Sequence, residues 1–141
     1  MNTHLRVSTI VAIGCSLLSP LARAGELTVT ITDIRSDKGF LMVSVASSDA
    51  AWNNQEKPVA AQKVAATGKD LVLHFNLPAG NYAVQVMHDE NGNNKLDTNF
   101  MGIPVEGYGF SNNPGVLRKA HFDEARFELG NSPTSIVVRL R

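Results

Sequence analysis

A chain of 141 residues with 13 basic and 13 acidic side chains and one cysteine has room for one hydrophobic core and no net charge with which to attract a polyanion. Its lysines and arginines are dispersed, so the electrostatic footprint of a nucleic-acid binder is missing, and it has no basic amphipathic helix of the kind that lies on a membrane surface. No apolar stretch reaches the ~20 residues of a transmembrane helix.

Met1 to Arg6 is a short, weakly basic start, and Val7 to Leu18 is an apolar run of signal-peptide length. Ser19-Pro20 breaks that run, and Ala22-Arg23-Ala24 offers the small-x-small pattern of a cleavage site. Residues 1–24 are therefore read as a signal peptide and residues 25–141 as one exported domain, periplasmic or secreted. An alternative tether is a lipid on Cys15, which follows the small-residue context Ala12-Ile13-Gly14. Cleavage after Ala24 leaves 117 residues with no cysteine and a formal charge of −2. Disulfides, thiolate metal sites and cysteine nucleophiles are then excluded, and the domain must stand on its core.

From Glu26 onward, short β-like runs alternate with turn residues. Leu27, Val29 and Ile31 alternate with threonines, and Phe40 to Val45 is a denser apolar run after a turn at Ser36 to Gly39. Asp49 to Glu56 reads as one short helical turn, and Val59 to Ala66 as a further strand. Leu71, Leu73 and Phe75 keep period two, as do Tyr82, Val84 and Val86, then Ala125, Phe127 and Leu129, and finally Ile136, Val138 and Leu140. The expectation is an all-β, antiparallel, seven-stranded sandwich, transthyretin-like or immunoglobulin-like, with one long irregular loop. Within it, Leu77-Pro78-Ala79-Gly80-Asn81-Tyr82 resembles the strand-turn-strand element of transthyretin-like sandwiches, where the tyrosine packs at a sheet corner.

Between Asp89 and Phe122 the strand residues give way to Gly, Asn, Pro and scattered aromatics. An irregular segment of that length in a compact domain is usually functional or disordered, and Phe100, Met101, Ile103, Val105, Tyr108 and Phe110 argue for anchoring over disorder. At its start, Asp89, Asn91, Asn93 and Asp97 fall at relative positions one, three, five and nine of a calcium loop, and the backbone carbonyl of Lys95 would serve at seven. Such an oxygen-only set suits Ca²⁺ before Mg²⁺. The departures are Asn94 at the glycine position and Phe100 where a bidentate glutamate belongs, so Glu90 or Glu106 would have to complete the shell. Weak binding follows, in the ~10⁻⁴ to 10⁻³ M range of extracellular modules. The competing reading is a loop that bonds its own backbone through Asx-turns, with Asn91-Gly92 as a hairpin turn. His88 is read as a packed strand end.

The run Gly102 to Asn113 also has two readings. Tyr108 and Phe110 between glycines form a stacking platform, with Glu106, Asn112 and Asn113 as polar partners for a sugar or peptide, or the aromatics plug the sandwich edge. Catalytic signatures are poor. Gly109 to Asn113 lacks the last glycine of a nucleophile elbow, and His74, His88 and His121 are too scattered for a zinc signature.

The run His88-Asp89-x-Asn91-x-Asn93-x-x-Leu96-Asp97, followed by Gly102-Ile103-Pro104-x-Glu106-Gly107-Tyr108-Gly109-Phe110-Ser111-Asn112-Asn113, resembles the family of small secreted bacterial proteins designated domain of unknown function 2141. The resemblance extends over the whole domain. Asn94 stands where relatives often carry glycine. What the resemblance implies is export and a β-rich domain, with no activity, substrate or cofactor. The functional expectation is a binding or structural module of the envelope, not an enzyme, with an envelope protein, peptide or glycan as partner and Ca²⁺ as the candidate cofactor. Its rival is a hydrolase acting on envelope or extracellular polysaccharide through Glu106 paired with Asp97.

Overall fold

A computed structural model describes residues 24–141. Cys15 and, apart from Ala24, the segment expected to be a signal peptide lie outside the described residues.

Strand β1 (Ala24–Thr32) shows why the alternation matters: Leu27, Val29 and Ile31 are fully buried, while Thr28 and Thr30 turn outward. It pairs antiparallel with β4 (Leu71–Pro78) and, on its other edge, parallel with β8 (Thr134–Arg139). A second sheet runs β3 (Ala60–Ala65), β2 (Phe40–Ala46), β5 (Gly80–Asp89) and β6 (Tyr108–Phe110). Its fifth strand, β7 (Phe127–Leu129), pairs with Gly80–Tyr82. Leu27, Val29, Ile31, Phe75 and Val138 of the first sheet belong to one core cluster with Leu41, Val43, Val45, Tyr82, Val84 and Val86 of the second. The architecture is the expected all-β sandwich.

Three details differ from the sequence reading. There are eight strands among the described residues, because Tyr108–Phe110 forms β6 inside the glycine-rich segment. One pairing is parallel, since the last strand adds to the free edge of β1. Ala125, assigned above to a strand with Phe127 and Leu129, instead ends a short helix, α2 (Phe122–Ala125). The expected helical turn is α1 (Asp49–Trp52), whose first turn is capped by Ser48, its Oγ accepting the Ala51 N–H at 3.1 Å.

The chain changes sheets at Ala79, between β4 and β5, and Tyr82 ties that corner by donating its phenol O–H to the Pro78 carbonyl at 2.8 Å. At another corner, Tyr108 and Arg141 exchange backbone hydrogen bonds of 3.2 and 3.0 Å, joining β6 to the residues that follow β8. Gly109 permits this approach, because a Cβ there would lie 2.5 Å from the Arg139 carbonyl oxygen.

A second apolar cluster caps one end of the outer face of the second sheet. Ala46, Ala83 and Phe110 of the sheet are covered by Ala51 and Trp52 of α1 and by Ala120, Phe122 and Ala125 in and before α2. Trp52 is fully buried, stands 5.7 Å from the Phe110 ring, and satisfies its indole N–H on the Ala120 carbonyl at 2.7 Å.

Candidate functional site

The Asp/Asn loop leaves the end of β5 and closes on itself. Asp89 is fully buried, and its carboxylate accepts three backbone N–H groups: Gly92 at 2.8 Å and Asn93 at 3.0 Å on Oδ1, Asn94 at 2.8 Å on Oδ2. Gly92 and Asn94 turn the chain with φ of 79° and 62°, and asparagine is among the few side chains that tolerate the left-handed region. Asn91 and Asn93 each accept the N–H two residues on, at 3.0 and 2.9 Å. Their amide groups in turn donate to the Asp97 carboxylate, Asn91 at 2.5 Å and Asn93 at 3.0 Å.

Glu106, in the segment just before β6, locks the base of the loop. It is 6% exposed, and its Oε1 and Oε2 accept the N–H groups of Glu90 and Asp97, each at 2.9 Å. Arg35 ties Glu90 to the Val105 carbonyl. The next turn is also self-bonded: Asn99 Oδ1 accepts the N–H groups of Met101 and Ile103, and Gly102 N–H donates to the Asn99 carbonyl. Phe100 stands at its tip, 96% exposed.

All four residues proposed for calcium, Asp89, Asn91, Asn93 and Asp97, are thus gathered in one loop. Each of their side-chain oxygens already accepts an N–H. A cation at Asp97 would compete with the Asn91 and Asn93 amides for its carboxylate, and turning those amides would give up the Asx bonds to Asn93 and Lys95. Among the described residues no three His, Cys, Asp or Glu side chains gather as a metal-holding group. His88 is fully buried, with Nε2 2.8 Å from the Lys38 carbonyl, which requires Nε2 to carry the hydrogen.

Beside the loop lies a groove of about 850 Å³ on the outer face of the second sheet. Strand register sets its floor. Lys63, Met42, Met87 and Tyr108 are neighbours across β3, β2, β5 and β6, and the next row is Ala61, Ser44, Gln85 and Phe110. The row beyond, Ala46 with Ala83, is the one roofed by Trp52. The loop lends Asn94, Leu96, Gly102 and Pro104 to the lining, and the segment before α2 lends Leu117, Arg118 and Lys119. A sheet face capped at one end and bounded by a hydrogen-bonded loop therefore leaves a half-buried strip of methionine and aromatic surface between them.

Among the described residues, the charged groups lining this strip are all basic: Lys63, Arg118 and Lys119. Lys63 Nζ donates to Asn94 Oδ1 at 2.6 Å and sits 4.4 Å above the Phe40 ring. Lys119 Nζ donates to the Trp52 carbonyl at 2.6 Å, and burial pushes its pKa down, against the opposing pull of Asp49. Arg118 forms a two-pronged pair with Glu124 at 2.8 and 2.9 Å. That pair raises the guanidinium pKa and, with the His121 N–H, holds the Glu124 carboxyl at about 2.

Of the contact residues expected from sequence, Tyr108 and Phe110 line the groove. Glu106, Asn112 and Asn113 are not among its lining residues. Asn112 donates to the Glu124 and Arg126 carbonyls, and Asn113 bonds the backbone of Val137 and Arg139, so both pin turns in which their φ values are 62° and 46°. Sequence reasoning missed Met42, Met87 and Lys119. The signal for the first two was present: each takes an outward position in a central strand, where a sheet face open to water would carry polar residues.

The family model for uncharacterised protein conserved in bacteria (DUF2141) matches residues 29–137. No curated protein and no solved structure matches the chain. The matched span runs from within β1 to within β8 and takes in both sheets, the Asp/Asn loop and the groove, so the chain belongs to the DUF2141 family of uncharacterised bacterial proteins.

Proposed function

We propose that the protein is an exported binding module of the bacterial envelope, periplasmic or secreted, built on a sandwich of transthyretin-like type, with the groove over β2, β5 and β6 as its site. The observation that carries this reading is the half-buried row Met42, Met87 and Tyr108, two rows along the same sheet face from the Ala46–Ala83 row that Trp52 roofs. Exposed contiguous apolar surface with a few polar groups at its rim is the common form of a small-molecule site, and methionine adapts to varied ligand shapes. The Asp89–Asn113 segment serves as one wall, and its hydrogen bonds keep that wall in shape. Calcium stabilisation of this wall is part of the proposal, supported by four oxygen-bearing side chains meeting in one loop. A polysaccharide hydrolase using Glu106 and Asp97 has less support, because both Glu106 oxygens are committed to backbone N–H groups.

The test is a titration of protein carrying ¹³C-methyl methionine with the neutral apolar dye Nile red. Met42 and Met87 signals should shift, while Met101, which is exposed but not part of the lining, stays still as the internal control. A titration that moves Met101 alone, or no methionine, removes the groove as the site.

A further inference from the structure

We propose that the ligand of this groove is an anionic amphiphile: an apolar chain or ring body carrying a carboxylate or phosphate head. The inference rests on the groove being the binding site and goes further by naming what fills it. The floor and walls given by Met42, Met87, Tyr108, Leu96, Pro104 and Leu117 suit an apolar body. Leu117 is 100% exposed at the rim, where a molecule seated in the groove would cover it. A volume of about 850 Å³ falls inside the ~300–1,000 Å³ range of small-molecule sites.

The head group follows from charge. Although the chain has as many acids as bases, among the described residues no carboxylate lines the groove and three cations do. Arg118 is neutralised by Glu124. Among the described residues, Lys63 and Lys119 have no carboxylate within 4.0 Å; both are held on neutral oxygens instead. An ammonium has three donors, so each keeps hydrogen-bonding capacity for an incoming anion after its single oxygen contact. Partial burial lowers the Lys119 pKa, and Asp49 offsets only some of that effect. A carboxylate or phosphate seated against either ammonium gains a charge-assisted hydrogen bond there, whereas a neutral head does not.

The experiment is displacement of 11-(dansylamino)undecanoic acid from the purified protein by dodecanoate and by dodecanol, which share a chain and differ in charge. Dodecanoate is expected to displace the probe at about tenfold lower concentration than dodecanol, and K63Q/K119Q is expected to lose that preference. A second arm sediments the protein with phosphatidylglycerol or phosphatidylcholine vesicles. Selective retention on the anionic vesicles assigns the amphiphile to a bilayer lipid, and displacement by dodecanoate without vesicle binding assigns it to a free one. Equal displacement by the two chains overturns the proposal. So does failure of the dansyl probe to bind while Nile red still shifts Met42 and Met87, and that result leaves the groove intact as a site. Silence from all ligands removes both.

Discussion

Glu106 and Asp97 meet through the main chain, not through facing carboxyls: Glu106 Oε2 accepts the Asp97 N–H at 2.9 Å, and Oε1 does the same for Glu90. One buried side chain thereby clamps both shoulders of the Asp/Asn loop. Glu106→Ala leaves two N–H groups without an acceptor, at roughly 1–3 kcal/mol each where water cannot replace it. Urea unfolding should register the loss, and amide exchange should quicken at Glu90 and Asp97 first. Unchanged exchange at both positions would show that the clamp is dispensable.

Calcium binding has a thermal signature. A site with Kd of ~10⁻⁴ to 10⁻³ M stabilises the folded chain by about 1.4 to 2.7 kcal/mol at ~10 mM Ca²⁺. Metal-stripped protein should therefore melt several degrees higher on adding calcium, and Asp97→Asn should abolish the rise. A melting temperature indifferent to calcium assigns the loop to its own hydrogen bonds.

Acid should loosen the wall before α2. The Glu124 carboxyl is held at about 2 against an ordinary 4.5, chiefly by its hydrogen bonds to Arg118. Because the folded value is the lower one, its contribution is complete above about pH 4.5 and disappears as pH falls through about 2. The pair is solvent-accessible, so the effect is small and sensitive to salt. Backbone NMR shifts of Lys119 to Ala125 should move across this window in the wild type and not in E124Q.

Gly109→Ala tests the corner where β6 packs against the end of β8. The added carbon meets the Arg139 carbonyl at 2.5 Å and Val138 Cγ1 at 2.9 Å, and overpacking of this kind costs about 1–3 kcal/mol. Denaturant unfolding measures it. Stability equal to the wild type would mean that the two segments can separate freely.

What was legible in the sequence was local. Leu27, Val29 and Ile31 alternate with threonines because one face of β1 is core and the other is not, and Asp89, Asn91 and Asn93 announce Asx-turns because their partners lie within a few residues. What was hidden depended on distant partners. Tyr108-Gly109-Phe110 is too short to show a period and is a strand only because β5 lies beside it. Ala125 shares the period of Phe127 and Leu129, yet Ser111 draws its carbonyl into a 2.5 Å hydrogen bond and α2 ends there. The groove was least visible, since Met42 and Met87 become neighbours only through the register of β2 on β5.

Trp52 is the chain's single tryptophan, and it sits outside the sandwich interior, between the sheet and its helical cap. Its emission therefore monitors that lid, while far-ultraviolet circular dichroism monitors the strands. Followed together during unfolding, the two signals separate detachment of the cap from melting of the sheets, using a fluorophore the protein already carries.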